Sequence, residues 1–206
     1  MTKTLSTDLN AIEELGRLDP ALAGLLQQLE PIEITLQEDF FVSIASAIVG
    51  QQLSNRVAEV LWERLTALLE DGVTPSNLQS LDDEQLRGIG ISYAKIKYLK
   101  ALSTAVLDRT LELDRLHTLD DDEIVRQLTR IKGIGPWTAE MFLIFSMGRT
   151  DVFSVGDGGL QRAVKWLYQM EQIPGKDELI RISDRWRPYR TTAALYLWRA
   201  IDEKMI

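Results

Sequence analysis

Residues 132–157 read KGIGPWTAEMFLIFSMGRTDVFSVGD. Two glycines, Gly133 and Gly135, stand one residue apart, and glycine accepts positive φ values that a side chain resists. Pro136 then suits the first turn of a helix, where its missing N–H costs nothing. An almost uninterrupted apolar run follows and gives way to Asp157, framed by Gly156, Gly158 and Gly159. The stretch reads as a helix–turn–helix hairpin clamped by Ile131 and Ile134. The turn's N–H groups and the next helix's N-terminus form a nest suited to a phosphate oxygen, with Lys132 and Arg130 adding charge. A tight connection between two packed helices is the plainer alternative. A dinucleotide fingerprint is excluded, since no strand precedes the turn and no third glycine follows at the needed offset. Asp157 itself suits the N-cap of a helix beginning near Gly159.

Outward from this stretch the chain reads as helix after helix. Leu9, Ile12, Leu15, Leu18, Leu22, Leu25 and Leu29 recur at helical spacing, with a break near Pro20. A helix, a break at Gly50–Ser54 and a second helix are expected over 38–69. Residues 71–78 read as a loop, and Ser80 followed by Asp83 and Glu84 as a helix start. Further helices are expected at 95–107, 121–131, 136–147, 159–167, 176–186 and 191–201. No segment alternates with period two between hairpin turns, so the fold class is all-α with eight to ten helices. A second G-I-G, Gly88–Gly90, also precedes a helix and reads as an ordinary connection or as a second backbone-binding turn.

Bulk composition narrows the chemistry. The 206 residues are 45% hydrophobic and 26% charged, which favours a folded core over disorder. The chain has no Cys, so thiolate nucleophiles, thiolate zinc sites and Cys-ligated clusters are excluded. Its one histidine, His117, lies among aspartates and reads as a solvated loop residue. No segment reads as a signal peptide or membrane span, so a cytoplasmic protein is expected. Net charge is −8, yet residues 1–84 hold 4 basic and 15 acidic groups (−11) and residues 85–206 hold 19 and 16 (+3). Local fields decide docking, so the total weakens a nucleic-acid reading without excluding it.

Four pieces carry a family resemblance: IVGQQLSNRVA (48–58), KGIGPWTAEMF (132–142), DVFSVGD (151–157) and DRWRPYRTTAALYLWRA (184–200). In this order, over residues 40–200, they resemble the helix–hairpin–helix DNA glycosylase superfamily, in its alkylpurine (3-methyladenine type II) branch. Larger members carry a β-rich N-terminal region, whereas this chain starts almost directly with the helical core. The resemblance implies two helical lobes with a cleft between them, one of about 1–50 plus 175–206 and one of about 51–174 with the hairpin at 131–136. It implies Asp157 as the catalytic carboxylate and Lys132, Gly133, Ile134, Gly135 and Thr138 as the DNA-backbone contacts. Gln51, Gln52 and Leu53 become the wedge region, although a buried core role for Leu53 stays open. Trp137, Met141 and Trp198 become the base pocket, although tryptophans at helical spacing are commonly core. Trp186 and Tyr189 flank Pro188 and either line the rim or pack the last helices.

Trp137 stands where lyase-competent members of the superfamily carry a Schiff-base lysine. The implied activity is therefore monofunctional hydrolysis, releasing alkylated purines in base excision repair. No metal site and no cofactor are implied, apart from a monovalent or divalent cation at the hairpin when DNA is bound. The implied partner is double-stranded DNA containing alkylated bases, and the expected state is a monomer. A non-catalytic damage-binding module is the alternative that the hairpin alone would equally serve.

Overall fold

The computed structural model describes residues 3–206. Among them are twelve α-helices, one short 3₁₀ helix (Leu113–Thr118) and two three-residue strands. The strands, β1 (Thr4–Ser6) and β2 (Glu33–Thr35), pair antiparallel with Leu5 opposite Ile34. The all-α expectation holds beside this small sheet, whose three-residue strands are too short to display a period of two. The chain divides into two compact units: the described residues up to Leu36 with Leu143–Ile206, and Gln37–Phe142.

The first unit holds α1 (Leu9–Leu18), α2 (Pro20–Leu26), the end of α9 (Pro136–Phe145), α10 (Gly158–Leu167), α11 (Lys176–Asp184) and α12 (Arg190–Asp202). α12 is its axis. Residues 191–197 and Ala200 are all buried, the pattern of a helix surrounded by protein. Ala193, Ala194 and Ala200 let it lie close against α1, α2 and α10, whose Leu15, Leu22, Leu160 and Val164 are fully buried. Asp19 ends α1 and caps α2, where Oδ1 accepts from the amides of Ala21 and Leu22 at 3.1 and 3.4 Å. Only 2% of Asp19 is exposed. Its Oδ2 accepts from the Trp186 indole at 2.9 Å and from the Tyr168 hydroxyl. The boundaries expected for this unit are corrected. α10 belongs here because Leu160, Ala163 and Val164 pack into this core, and α3 does not.

The second unit holds α3 (Phe40–Gly50), α4 (Asn55–Leu68), α5 (Pro75–Ser80), α6 (Asp83–Gly88), α7 (Tyr93–Leu107) and α8 (Asp121–Thr129), and takes in α9 as far as Phe142. α3 joins it by packing on α4 and α7, with the Phe40 and Phe142 rings edge to face at 5.1 Å. The expected loop over 71–78 ends earlier, because Thr74 caps α5 at the Asn77 amide and Pro75 occupies the first turn. The cap of α6 is Asp82 and not Ser80; Asp82 and Gln85 form a reciprocal capping box. In the Gly88–Gly90 turn the positive φ falls on the second glycine, +103° at Gly90, whereas in the hairpin it falls on the first, +93° at Gly133. His117 is exposed, as its aspartate-rich surroundings predict, but sits in the 3₁₀ helix and not in a loop.

Candidate functional site

α8 ends at Thr129 with Arg130 as its C-cap, and the chain turns through residues 131–135 into α9. Ile131 and Ile134 are buried on one side of the turn, and the Ile134 amide donates to the Ile131 carbonyl at 3.1 Å. Lys132 and Gly135 are exposed on the other. Gly133 has φ +93°, and a Cβ there would lie 2.1 Å from the Tyr98 ring, so the turn rests directly on that ring. Gly135 is under neither constraint, since a Cβ added there would meet nothing within 4 Å. Gly133→Ala is therefore expected to lose about 1–2 kcal/mol to the left-handed backbone and about 1–3 kcal/mol to overpacking. Gly135→Ala should stay within about 0.5 kcal/mol of wild type. Urea melts of both variants check this; equal stability would refute the contact with Tyr98. Thr138, in the first turn of α9, is 5% exposed, so its side chain is buried.

The wedge candidates separate. Gln51 is half-buried, and its Nε2 donates to the Gly133 carbonyl at 2.8 Å. Gln52 is exposed, with a positive φ of +58°. Leu53 is 36% exposed, which removes the core reading for it. Trp137 is 45% exposed and Met141 is half-buried, so Trp137 too is no core residue.

In the terminal unit Asp157 does cap α10: its Oδ1 accepts from the Leu160 amide at 2.7 Å. The same oxygen accepts from the Trp198 indole at 3.2 Å. Two donors from different elements thus fix the carboxylate, and the cap and the chemical role meet in one group. Gly159 makes room for it, since a Cβ there would sit 2.9 Å from Oδ1 and 3.3 Å from Ile201. Trp198 is half-buried and lies beside Phe145, ring centroids 6.0 Å apart. Both rings line a cavity of about 330 Å³ with Ile34, Leu195 and Ile201. Trp186 is fully buried and donates to Asp19, so it is a core residue, while Tyr189 is half-buried.

Sequence reasoning missed the supports. Arg190 donates to both Asp151 carboxylate oxygens, at 2.7 and 3.2 Å, and to the Asp151 carbonyl at 2.5 Å. The Thr191 hydroxyl donates to the Arg149 carbonyl at 2.7 Å and accepts from the Val152 amide at 3.0 Å. These bonds tie the segment that leads into Asp157 onto the start of α12. Phe145 was missed as well; the aromatic end of the apolar run was the only available signal. Among the described residues, no group of three or more His, Asp or Glu side chains could hold a metal ion. No helix there is long and apolar enough to cross a membrane.

A glycine hairpin and an aspartate fixed at a helix head, in a nearly all-helical chain, define a helix–hairpin–helix protein. The family comparison is more particular: the model described as HhH-GPD superfamily base excision DNA repair protein matches residues 45–188, and the chain belongs to that superfamily. YfjP of Bacillus subtilis, provisionally named a DNA-3-methyladenine glycosylase, is 33% identical over 189 residues, 88% of this chain and 66% of YfjP. The chain thus spans just under two thirds of that relative. A DNA-3-methyladenine glycosidase from Bacillus halodurans superposes with a TM-score of 0.86 at 38% identity, over 96% of this chain and 92% of that one. The 3-methyladenine DNA glycosylase Mag1 of Schizosaccharomyces pombe, solved in complex with abasic DNA, gives 0.81 at 30% identity, over 93% and 96%.

Proposed function

We propose that the chain is a monofunctional DNA glycosylase that hydrolyses the N-glycosidic bond of alkylated purines in duplex DNA, the first step of base excision repair. The observation that carries this reading is the Asp157 carboxylate held by the Leu160 amide and the Trp198 indole. The names of the relatives support the reaction and the substrate class, and favour hydrolysis over a non-catalytic damage-binding role.

A base in a duplex hides its glycosidic bond, so the nucleotide must leave the stack before it can react. Lys132, Gly133, Ile134 and Gly135, with the Thr138 amide, hold the backbone; Gln52 and Leu53 fill the vacated place. An N3- or N7-alkylated purine is a cation, and aromatic faces attract cations by about 0.5–2 kcal/mol. Trp198 and Phe145 supply such faces beside Asp157, while Trp137 and Met141 stand as pocket residues by resemblance. The positive base leaves with the electron pair of the C1′–N bond and needs no strong general acid. The sugar left behind has oxocarbenium character, which the Asp157 carboxylate stabilises. Water adds at C1′, and its proton passes to the carboxylate.

With Trp137 in place of a lysine, no Schiff base forms at that position and the strand stays whole. No cofactor enters this step. A cation bound together with DNA would be held by carbonyl oxygens of the 131–135 turn and would offset phosphate charge there; the Gly133 carbonyl also accepts from Gln51. The protein acts as a monomer in the cytoplasm, on chromosomal DNA.

Incubation with dimethyl-sulfate-treated duplex is expected to release free 3-methyladenine and 7-methylguanine, resolved by chromatography. The strands should break only on later alkali treatment. Absence of released base overturns the glycosylase reading, and breakage without alkali overturns its monofunctional part.

A further inference from the structure

We infer that Gln51 and Lys95 are positioning residues that lock the Gln52–Leu53 tip to the glycine hairpin, so that backbone grip and stack filling act as one piece. The inference rests on the glycosylase reading for what the tip does, and on this chain's own contacts for how it is held.

α3 ends immediately before the tip. The carbonyl of Val49, in its last turn, accepts from the Lys95 ammonium at 2.7 Å. A cation there satisfies a carbonyl that the helix leaves without an amide partner, and complements the negative end of the helix dipole. Lys95 is half-buried, and that burial lowers its pKa, so the amine sits in this place at a desolvation cost. Two residues on from Val49, the Gln51 amide reaches across 82 residues of sequence to the Gly133 carbonyl. Gln52 then takes φ +58°. A residue with a side chain holds that conformation when its surroundings over-determine it. The two bonds just before it in the chain, at Val49 and at Gln51, supply that constraint.

The third corner is Tyr98, three residues after Lys95 and on the same face of α7. Its ring lies against Gly133, as the 2.1 Å approach of a virtual Cβ shows. α7 therefore holds the base of the tip through Lys95 and the hairpin through Tyr98, and Gln51 closes the triangle. Gln51, Gln52, Lys95, Tyr98 and Gly133 line one groove of about 480 Å³. Gln51 is thus an anchor of the wedge and no part of its inserted tip.

The test uses the full chain and a duplex with a tetrahydrofuran abasic analogue and 2-aminopurine on its 3′ side. Saturating wild type should brighten the 2-aminopurine as the tip enters and unstacks it. Gln51→Met and Lys95→Met keep side-chain length and should lose most of that rise. Their dissociation constants should stay within about threefold, because phosphate contacts dominate affinity. Lys95→Arg keeps a donor for Val49 and should recover the rise. In a background carrying both Gln52→Ala and Leu53→Ala, Gln51→Met should remove nothing further, as a residue acting through the tip requires. A full rise in both Met variants overturns the inference, and so does a further loss in the tip-less background. Should Lys95→Met fail to fold, Gln51→Met alone decides. Base release from methylated duplex is scored in parallel. Its absence from wild type that still brightens the probe would overturn the hydrolase and leave the positioning role standing.

Discussion

Asp157→Asn is expected to lower base release from methylated duplex DNA by about 100-fold or more, while the protein melts within roughly 2–4 °C of wild type. The substitution separates the two roles that meet at this position. Asparagine is as good an N-cap as aspartate, and its side-chain oxygen can still accept from the Leu160 amide and the Trp198 indole, now at 2.7 and 3.2 Å. What it lacks is the negative charge, which the oxocarbenium-like sugar needs, and the basicity to take a proton from water. Asp157→Ala removes the cap as well and should cost about 0.5–2 kcal/mol of stability in addition to activity. Single-turnover release assays beside thermal melts give both readouts. Wild-type release by the Asn variant would mean that the carboxylate is a cap and nothing more. Equal loss of release and folding in Asn and Ala alike would mean the same.

The helices were legible because their apolar residues repeat over ten or more positions, as in α1, α4, α7 and α12. Pro20, Gly50 and the G-I-G-P run announced the breaks, since each limits backbone conformation locally. Shorter elements were harder to read: α5, six residues set by the Thr74 cap, passed for loop, and α6, also six, was anticipated with its cap at Ser80 in place of Asp82. The division at Gln37 and Leu143 also escaped, because it depends on which core α3 and α10 join. For the site, local patterns exposed Gly133 and Asp157, whose glycine frames are written in adjacent letters. The residues that hold them in place were invisible. Gln51 meets Gly133 across 82 residues and Arg190 meets Asp151 across 39. Nothing in the neighbouring sequence of a glutamine or arginine names a partner so far away. Thr138 illustrates the reverse: the family resemblance nominates it, and only the structure shows that it is buried.

Asp19→Ala is expected to cost about 3–5 kcal/mol at neutral pH, because it strands the Trp186 N–H and the Tyr168 hydroxyl, each worth about 1–3 kcal/mol when unsatisfied, and removes the cap of α2. A drop of roughly 10 °C in Tm corresponds to that loss in a chain of this size. The site is a buried carboxylate between the two ends of the terminal unit: Asp19 joins α1 to α2, and Trp186 and Tyr168 follow α11 and α10. Burial pushes the Asp19 carboxyl upward, but the hydrogen bonds from Tyr168, Trp186 and the Leu22 amide, with Arg185 at 3.8 Å, outweigh it and hold the group below the ordinary aspartate value of 3.8. The Tyr168 hydroxyl is pushed upward, first by burial and then by its bond to Asp19, so it stays protonated as the donor. A folded-state pKa below the unfolded one means that the native carboxylate stabilises fully above the unfolded value, and that this stability is lost as pH falls through the folded value. The gap between wild type and Asp19→Ala should therefore be constant from neutral pH to about pH 5 and narrow below about pH 4. Denaturant melts at a series of pH values measure it. A gap that persists unchanged at pH 3, or a variant that melts with wild type at neutral pH, would show that the buried carboxylate is not what joins the two ends of this unit.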